Sequence, residues 1–392
     1  MNNKKILILG AGIAGLWLHN RLQSLGFPSV LIDVNPVGTG QTLSAQGIIH
    51  GGIKYSLSGT LSPSANAIAS MPQCWRDCIT GNGVLNLSQS TVLAEYQYLW
   101  SEPSLASKVT GFFSSKAVRG KMTSIAKPNA PSLFSNHEFK GKLYQLNEPV
   151  LDTLSLVENL VNNCSGSILQ VPDYTFVHDD NGRLVAIRLS GGELIEADHF
   201  VLTAGEGNEA LINSLKLPAP KMQRRPLSMV LLKSPKLPNI YAHCVGASSK
   251  PLLTISSHQH SDGDTVWYLG GGIAEDGVGK DADILINESK QLLHRLLPWL
   301  DISHAQWAVH EVNRAEPQQQ GLLRPDTAFL ESHQNIHVAW PTKLALAPVL
   351  ADNVIAKLGA SANSSGSPLM DSALSKRYQP TIAKPLWERV FK

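Results

Sequence analysis

The residues of this chain whose types and spacing could do chemistry begin with three glycines, Gly10, Gly12 and Gly15, an aspartate, Asp33, and a histidine, His50, followed by Gly51-Gly52. Gly10-Ala11-Gly12-Ile13-Ala14-Gly15 spells G-x-G-x-x-G, and the chemistry such a turn offers is the grip of a dinucleotide's pyrophosphate. Gly10 permits the tight turn, Gly12 lets backbone approach the phosphates, and Gly15 lets a helix pack closely on a strand. The start of that helix presents unpaired N–H groups and a partial positive charge. Asp33 is placed to accept hydrogen bonds from a ribose hydroxyl.

The motif is weak alone, and its strength here comes from the elements that must position it. Lys5-Ile6-Leu7-Ile8-Leu9 reads as a buried strand just before the turn. Ala14, Leu16, Trp17, Leu18, Leu22 and Leu25 then trace a helix that stops near Gly26, and Ser29-Val30-Leu31-Ile32 forms a second strand ending on Asp33. A secretory signal fits poorly, because His19, Asn20 and Arg21 interrupt the apolar stretch and no small-residue cleavage site follows.

Composition narrows the class. The 392 residues allow two domains or one large α/β domain with an inserted layer. Net charge is +2 and the charged fraction is 16%, below the roughly 25% of average proteins. No basic stripe marks a nucleic-acid surface, so none is expected as a partner. No apolar run approaches the roughly 20 residues needed to span a bilayer. Cys74, Cys78, Cys164 and Cys244 form neither a disulfide framework nor a zinc set. The expectation is a cytoplasmic protein without a metal, with room for a peripheral membrane contact.

Further along, Asn35 to Ser64 is rich in Gly, Ser and Thr, and extended runs fall near 91–99 and 109–113. Leu151 to Val161 is patterned as a helix capped from Asp152, and Gly166 to Val171 as a strand. Arg183 to Leu189 and Glu193 to Glu196 form a hairpin turning at Gly191-Gly192, and His199 to Thr203 is a strand closed by Ala204-Gly205. Prolines and basic residues from Pro218 to Pro238 mark a crossing between domains. Strands follow at Leu227–Leu232, Leu252–Ser256 and Val266–Gly270, a helix over Asp283–Trp299, a strand at Ile336–Ala339 and a final helix over Leu344–Leu358. The tail after the Ser/Gly-rich stretch 360–368 is expected to be loosely attached. The fold class is therefore α/β with α+β character: a Rossmann-like nucleotide domain around a parallel sheet, with a mixed or antiparallel sheet domain inserted twice. Residues 1–75, 141–217 and 311–392 are assigned to the first, 76–140 and 218–310 to the second.

The segment Gly40-Gln41-Thr42-Leu43-Ser44-Ala45-Gln46-Gly47-Ile48-Ile49-His50-Gly51-Gly52-Ile53-Lys54-Tyr55 resembles the one that follows the second strand in FAD-dependent oxidoreductases of the D-amino-acid oxidase superfamily. Its I-H-G-G-I-K-Y core looks most like the L-2-hydroxyglutarate oxidase and FAD-linked glycerol-3-phosphate dehydrogenase branches. More thinly, Ala197 to Gly205 is similar to the strand that returns under the FAD. Asn313-Arg314-Ala315-Glu316-Pro317 lies where the family has Gly-x-Arg-Pro, and Ile336 to Pro348 where a strand runs into a helix aimed at the flavin. The chain departs in carrying Asn313 for the glycine, and Trp340-Pro341-Thr342-Lys343 for a Gly-rich turn. These departures leave fold and cofactor in place and put substrate and catalysis in question.

The resemblance implies FAD held by Gly10, Ala11, Gly12, Ile13, Ala14, Gly15, Asp33, Thr42, Ser44, Gln46, Gly47, His50, Gly51, Gly52, Ala204, Gly205, Pro341, Thr342, Lys343 and Leu344. Such enzymes remove a hydride from a C–H bearing an amine or hydroxyl, and the flavin carries the hard step. His50 is the candidate base for an alcohol proton, against a purely structural contact. Arg314 is the candidate fork for a substrate carboxylate, against an ion pair with Glu311 or Glu316. Lys54 and Tyr55 are secondary candidates. A helix starting near Pro341, together with Lys343, is expected to supply positive charge to the flavin's pyrimidine end. His258 and His260 alternate as on one strand face and read as surface or core residues. The implied substrate is a small acidic molecule, a 2-hydroxy acid or amino acid, with oxygen or a quinone as acceptor. The alternatives are a flavin-dependent tRNA-modification enzyme, an NAD(P)-only dehydrogenase, and a non-catalytic FAD-binding protein.

Overall fold

The computed structural model describes residues 4–52, 68–102, 122–164, 166–245, 250–322, 325–359 and 372–391. Lys54, Tyr55 and the 109–113 run lie outside the described residues.

Around Ile6–Leu9 a six-stranded sheet assembles in the order Phe329–His333, Ile336–Trp340, His199–Leu202, Ile6–Leu9, Ser29–Asp33, Ile168–Gln170. All pairs are parallel except the outermost, where Phe329–His333 runs antiparallel to Ile336–Trp340. Ile6, Leu7, Ile8 and Leu9 are all buried, as a central parallel strand covered on both faces requires. Helices Ile13–Ser24 and Ala347–Leu358 pack on one face, and the hairpin sheet of Tyr174–His178, Leu184–Leu189 and Leu194–Glu196 lies on the other side. Asp152 caps the helix Thr153–Asn163 by accepting from the Leu154 and Ser155 N–H groups, as its position in sequence implies.

A second, larger sheet runs Gln306–Pro317, Met222–Ser234, Thr265–Gly270, Pro251–Gln259, Ala242–Val245, Gln97–Ser101, Lys142–Leu146, Met122–Ser124. It is antiparallel save where Ala242–Val245 runs parallel to Gln97–Ser101. Its registers fix which residues share a face, because opposed residues in a ladder point to the same side. Trp100, Val230, Leu232, Ala242, Cys244, Leu253, Ile255, Trp267 and Leu269 form one apolar face, packed on the helix Ala282–Leu296. The other face carries Gln97, His243, Thr254, Ser256, His258, Tyr268, Met229, His310, Arg314 and Glu316. We keep the two-domain division as a proposal, one domain on each sheet. Gln306–Pro317 runs unbroken across residue 311, and Lys142–Leu146 lies with the larger sheet.

Three expectations are corrected. The strand expected at Leu227–Leu232 is longer than read, Met222–Ser234, so most of the Pro218 to Pro238 crossing is itself strand, and its ladder to Gln306–Pro317 begins at Met222. Pro226 is tolerated because the second neighbour, Thr265–Gly270, joins only from Val230 onward. The helix Ala347–Leu358 is not the last, since Ser372–Arg377 and Leu386–Val390 follow. Nor is the tail loose. Val37 N–H donates to the Thr381 carbonyl and Ala383 N–H to the Val37 carbonyl, while Leu386, Trp387 and Phe391 are buried against Met229, Leu231, Val266 and Tyr268. Trp387 stacks on His258 with ring centroids 3.9 Å apart and planes 18° from parallel. His258 and His260 are accordingly buried, His260 facing the Phe391 carbonyl at 3.1 Å.

Candidate active site

The glycine turn has the geometry of a cradle. Gly10 sits at φ +109°, and a Cβ there would lie 2.4 Å from the Ala204 Cα. A Cβ on Gly15 would lie 2.0 Å from the Gly10 carbonyl oxygen, so only glycine lets the helix approach the strand. At Gly12 an added Cβ meets only Thr42 Oγ1 within 4 Å among the described residues, at 3.1 Å, leaving that side open for a ligand. Gly12 caps the helix Ile13–Ser24 without a side chain, and Thr42 Oγ1 accepts from the Ile13 N–H at 3.0 Å. Asp33 Oδ2 accepts from the Ala11 N–H at 2.7 Å and Oδ1 from the Asn35 N–H at 2.9 Å. Those bonds fasten the carboxylate beside the turn and leave lone pairs for a ribose, since a carboxylate has about four acceptor sites.

From this cradle, residues 41–52 run to the polar face of the larger sheet. Gln41 Oε1 accepts from the Ala315 N–H at 3.2 Å. Ser44 Oγ and His310 Nε2 are 3.3 Å apart, and the Ser44 carbonyl accepts from the buried Tyr268 hydroxyl at 3.1 Å. Burial, then Arg389, holds the His310 imidazole below its ordinary range. Gln46 Nε2 donates to the Tyr268 carbonyl at 2.8 Å. Gly47, at φ +72°, brings its backbone against Leu151, whose N–H it accepts at 2.9 Å. Each contact is a polar bond between distant parts of the chain, so the segment is held at both ends.

At its far end stands His50, half-buried. Its Nδ1 lies 3.4 Å from Glu148 Oε2, and its ring centroid 5.5 Å from that of His243. Glu148 is buried and accepts the Gly51 N–H at 2.6 Å and the Gln97 side-chain amide. His243 Nδ1 is 2.7 Å from Thr254 Oγ1. Glu148, Gln97 and His243 escape a reading by sequence because they lie far from His50 along the chain and sit in no motif.

On the same face, Arg314 pairs with Glu275 at 3.1 Å and donates to the Arg225 carbonyl at 3.2 Å. Glu311 and Glu316, the alternative to a substrate carboxylate, are not its ion-pair partners among the described residues. Glu316 is instead gripped by both arms of Arg225, each at 2.8 Å. Glu275 also pairs with Lys250. Burial pushes the Glu275 carboxyl up, but Lys250 and Arg314 outweigh it and hold it below its usual range.

The returning strand ends as expected, with the Ala204 N–H on Asn208 Oδ1 at 2.8 Å and the Gly205 carbonyl accepting from Trp340 Nε1 at 2.8 Å. The turn after it differs from the expectation. Pro341 opens no helix: Thr342 lies at φ +60°, a short 3-10 turn covers Leu344–Leu346, and the helix proper begins at Ala347 with Pro348 in its first turn. Lys343 Nζ donates to the Asp326 carbonyl at 3.1 Å. Trp75 Nε1 donates to the Ala345 carbonyl at 3.0 Å, pinning the turn from the helix Met71–Ile79.

Residues 5–339 match the family model described as FAD dependent oxidoreductase, DAO. The chain belongs to that family. The oxidoreductase is 45% identical over 387 residues to the probable FAD-dependent oxidoreductase PA4991 of Pseudomonas aeruginosa, covering 98% of each chain. It superposes on the crystal structure of that protein with a TM-score of 0.84 and 41% identity, over 99% of this chain and 98% of the other. The fold also matches iminodiacetate oxidase from Chelativorans sp. BNC1 (TM-score 0.64, 17% identity, 97% and 100% covered). A glycerophosphate oxidase from Mycoplasma pneumoniae, solved with FAD bound, matches at TM-score 0.62 and 12% identity (94% and 97% covered). The oxidoreductase uses FAD, and the cradle at Gly10–Gly15 with Asp33 fits that cofactor.

Among the described residues, no helix is long and apolar enough to cross a membrane.

Proposed function

We propose that this flavoprotein oxidises a small acidic substrate, a 2-hydroxy acid or an amino acid, by hydride transfer to FAD, and that of the two it takes the 2-hydroxy acid. The observation that supports this reading is His50, an imidazole at the end of the segment that leaves the FAD cradle, half-buried and bonded through Nδ1 toward a carboxylate. An alcohol must lose its hydroxyl proton as its C–H leaves as hydride, and a neutral amine need not. An imidazole is suited to take that proton near neutral pH.

FAD, when bound, supplies the acceptor for the hydride. The chain's own residues do the rest. His50 Nε2 takes the hydroxyl proton, because Nδ1 faces Glu148. Arg314 offers its guanidinium to the substrate carboxylate, exchanging Glu275 for it. Thr42, Ser44, Gln46 and Gly47 fix the loop between cradle and sheet, so that base and anchor keep one geometry.

The test is anaerobic mixing with a panel of 2-hydroxy acids, amino acids and glycerol 3-phosphate, following the visible flavin absorbance. A 2-hydroxy acid should bleach it, and His50→Ala should keep FAD while slowing that bleaching by roughly 10²–10⁴-fold. Bleaching by amino acids alone, at an undiminished rate in the variant, would establish the amine reading instead. No bleaching by any member would refute both.

A further inference from the structure

We propose that Glu148 is the positioning carboxylate of this site: it holds the His50 imidazole in one orientation, ties it to the Gly51-Gly52 turn, and strengthens it as a proton acceptor. The inference rests on the reading of His50 as base for its catalytic meaning, but not for the geometry it invokes.

Glu148 stands on the short connection between the strands Lys142–Leu146 and Val150–Leu151, where its own N–H donates to the Leu146 carbonyl at 2.8 Å. Its side chain is 3% exposed. A carboxylate taken that far from water is costly unless its oxygens are met by donors. Here Oε1 accepts the Gly51 N–H, while Oε2 takes the Gln97 amide and faces His50 Nδ1. The Gln97 amide suits an ionised Glu148. It turns its NH₂ to Oε2 at the expense of its own Oε1, a buried oxygen with no partner among the described residues. That orientation is favourable toward an ionised carboxylate, which can only accept.

Anchoring the Gly51 backbone needs only an acceptor, and an amide oxygen would serve. What a carboxylate adds is charge beside the ring. It favours the tautomer with the proton on Nδ1, which presents Nε2 as the accepting nitrogen, and it stabilises the imidazolium once the proton arrives. With FAD and substrate bound, the substrate O–H proton would pass to His50 Nε2 while the flavin would supply the acceptor for the C–H hydrogen and its electron pair, so the C=O bond would form with charge balanced. The described groups facing His50 are Glu148 from that connection and His243 from the strand Ala242–Val245, with neutral Gln97 and Thr254 behind them. A proton on His243 would oppose one on His50.

The experiment is a histidine titration by NMR on the oxidised holoenzyme without substrate, with the His50 signal assigned by its absence in His50→Asn. Glu148→Gln should lower the pH at which His50 titrates by about one to three units, the usual effect of a close opposite charge. Glu148→Asp, with the charge kept but drawn back, should give a smaller fall, and it carries the test if the Gln variant loses FAD. An unchanged His50 titration in both variants overturns the proposal. The two readings fail separately: a fall in titration with no bleaching by hydroxy acids sinks the proposed substrate alone, and bleaching with an unmoved titration sinks the role of Glu148 alone.

Discussion

Replacing Trp387 by alanine tests whether the C-terminal segment is part of the folded core. Trp387 is 4% exposed, so almost all of its surface leaves water on folding. An indole buries about 150–250 Å², which at ~25 cal/mol per Å² corresponds to about 4–6 kcal/mol. Measured Trp→Ala and Phe→Ala losses of ~3–5 kcal/mol overlap that range at its lower end. Stacking on His258 is lost as well, and with it the dry surroundings that push the His258 imidazole down to about 3. The penalty is capped, however, because the short helix Leu386–Val390 can undock locally before the whole chain unfolds. Undocking exposes Met229, Leu231, Val266 and Tyr268, and Tyr268 carries the bonds to Ser44 and Gln46. Thermal unfolding of the holoprotein, followed by release of flavin fluorescence, should therefore fall by about 5–10 °C, taking ~2 °C per kcal/mol for a chain of this size. A change below about 2 °C would refute the reasoning and return the tail to a loose appendage.

Tyr268→Phe should cost about 1–3 kcal/mol, the toll of leaving the buried Ser44 carbonyl without its donor, read as a lowered urea midpoint with weaker FAD retention; an unchanged midpoint would dismiss the bond. Gly15→Ala places a Cβ 2.0 Å from the Gly10 carbonyl oxygen, so purified protein should contain no FAD, and a yellow, fully loaded variant would contradict the cradle geometry. Arg314→Ala should raise KM for the acidic substrate while FAD content stays constant, and an unaltered KM would leave Arg314 as a structural partner of Glu275. Acid should destabilise the fold through His19 and His258, both lowered to about 3 by burial. Above their unfolded value both states are neutral and nothing is lost; as pH falls from about 6.5 toward 3 the unfolded chain alone takes up these protons, at ~1.4 kcal/mol per pH unit for each histidine. Urea unfolding across that window should show a shallower acid slope in His258→Phe, and identical slopes would exclude His258 from the effect.

The opening strand, turn and helix are legible because the constraints on Gly10, Gly12 and Gly15 are local, and a few consecutive residues state them completely. The Asp152 cap and the Gly191-Gly192 hairpin are legible for the same reason. What periodicity cannot supply is the order of strands, and the polar face of the larger sheet exists only through that order. His243, Tyr268 and His310 share a face because four ladders come into register, a fact no window of sequence contains. Glu148 and Gln97 are invisible in the same way. Prolines misled twice. The prolines from Pro218 to Pro238 read as a crossing, yet Pro226 occupies a stretch of strand with a single partner, and Pro341 read as a helix start although Pro348 fills that place. The tail misled because its apolar residues are few and its helices short, so their burial depends wholly on the surface that Val266 and Tyr268 offer.

The neighbours of Ile6–Leu9 in the parallel sheet have a consequence for how the protein is made. One flank is Ser29–Asp33, close in sequence, but the other is His199–Leu202, and beyond it Ile336–Trp340. A ribosome delivers these strands far apart in time, and pairing of such separation is slow because loop closure must precede any gain. The nascent strand Ile6–Leu9 waits with one edge open until residue 202 has emerged, and the Gly10 turn meets Ala204 no earlier. The turn that cradles the dinucleotide therefore gains its full surroundings only after residue 204 has been made. Until then the half-made sheet exposes apolar strand edges of the kind that holding chaperones cover and that aggregation recruits.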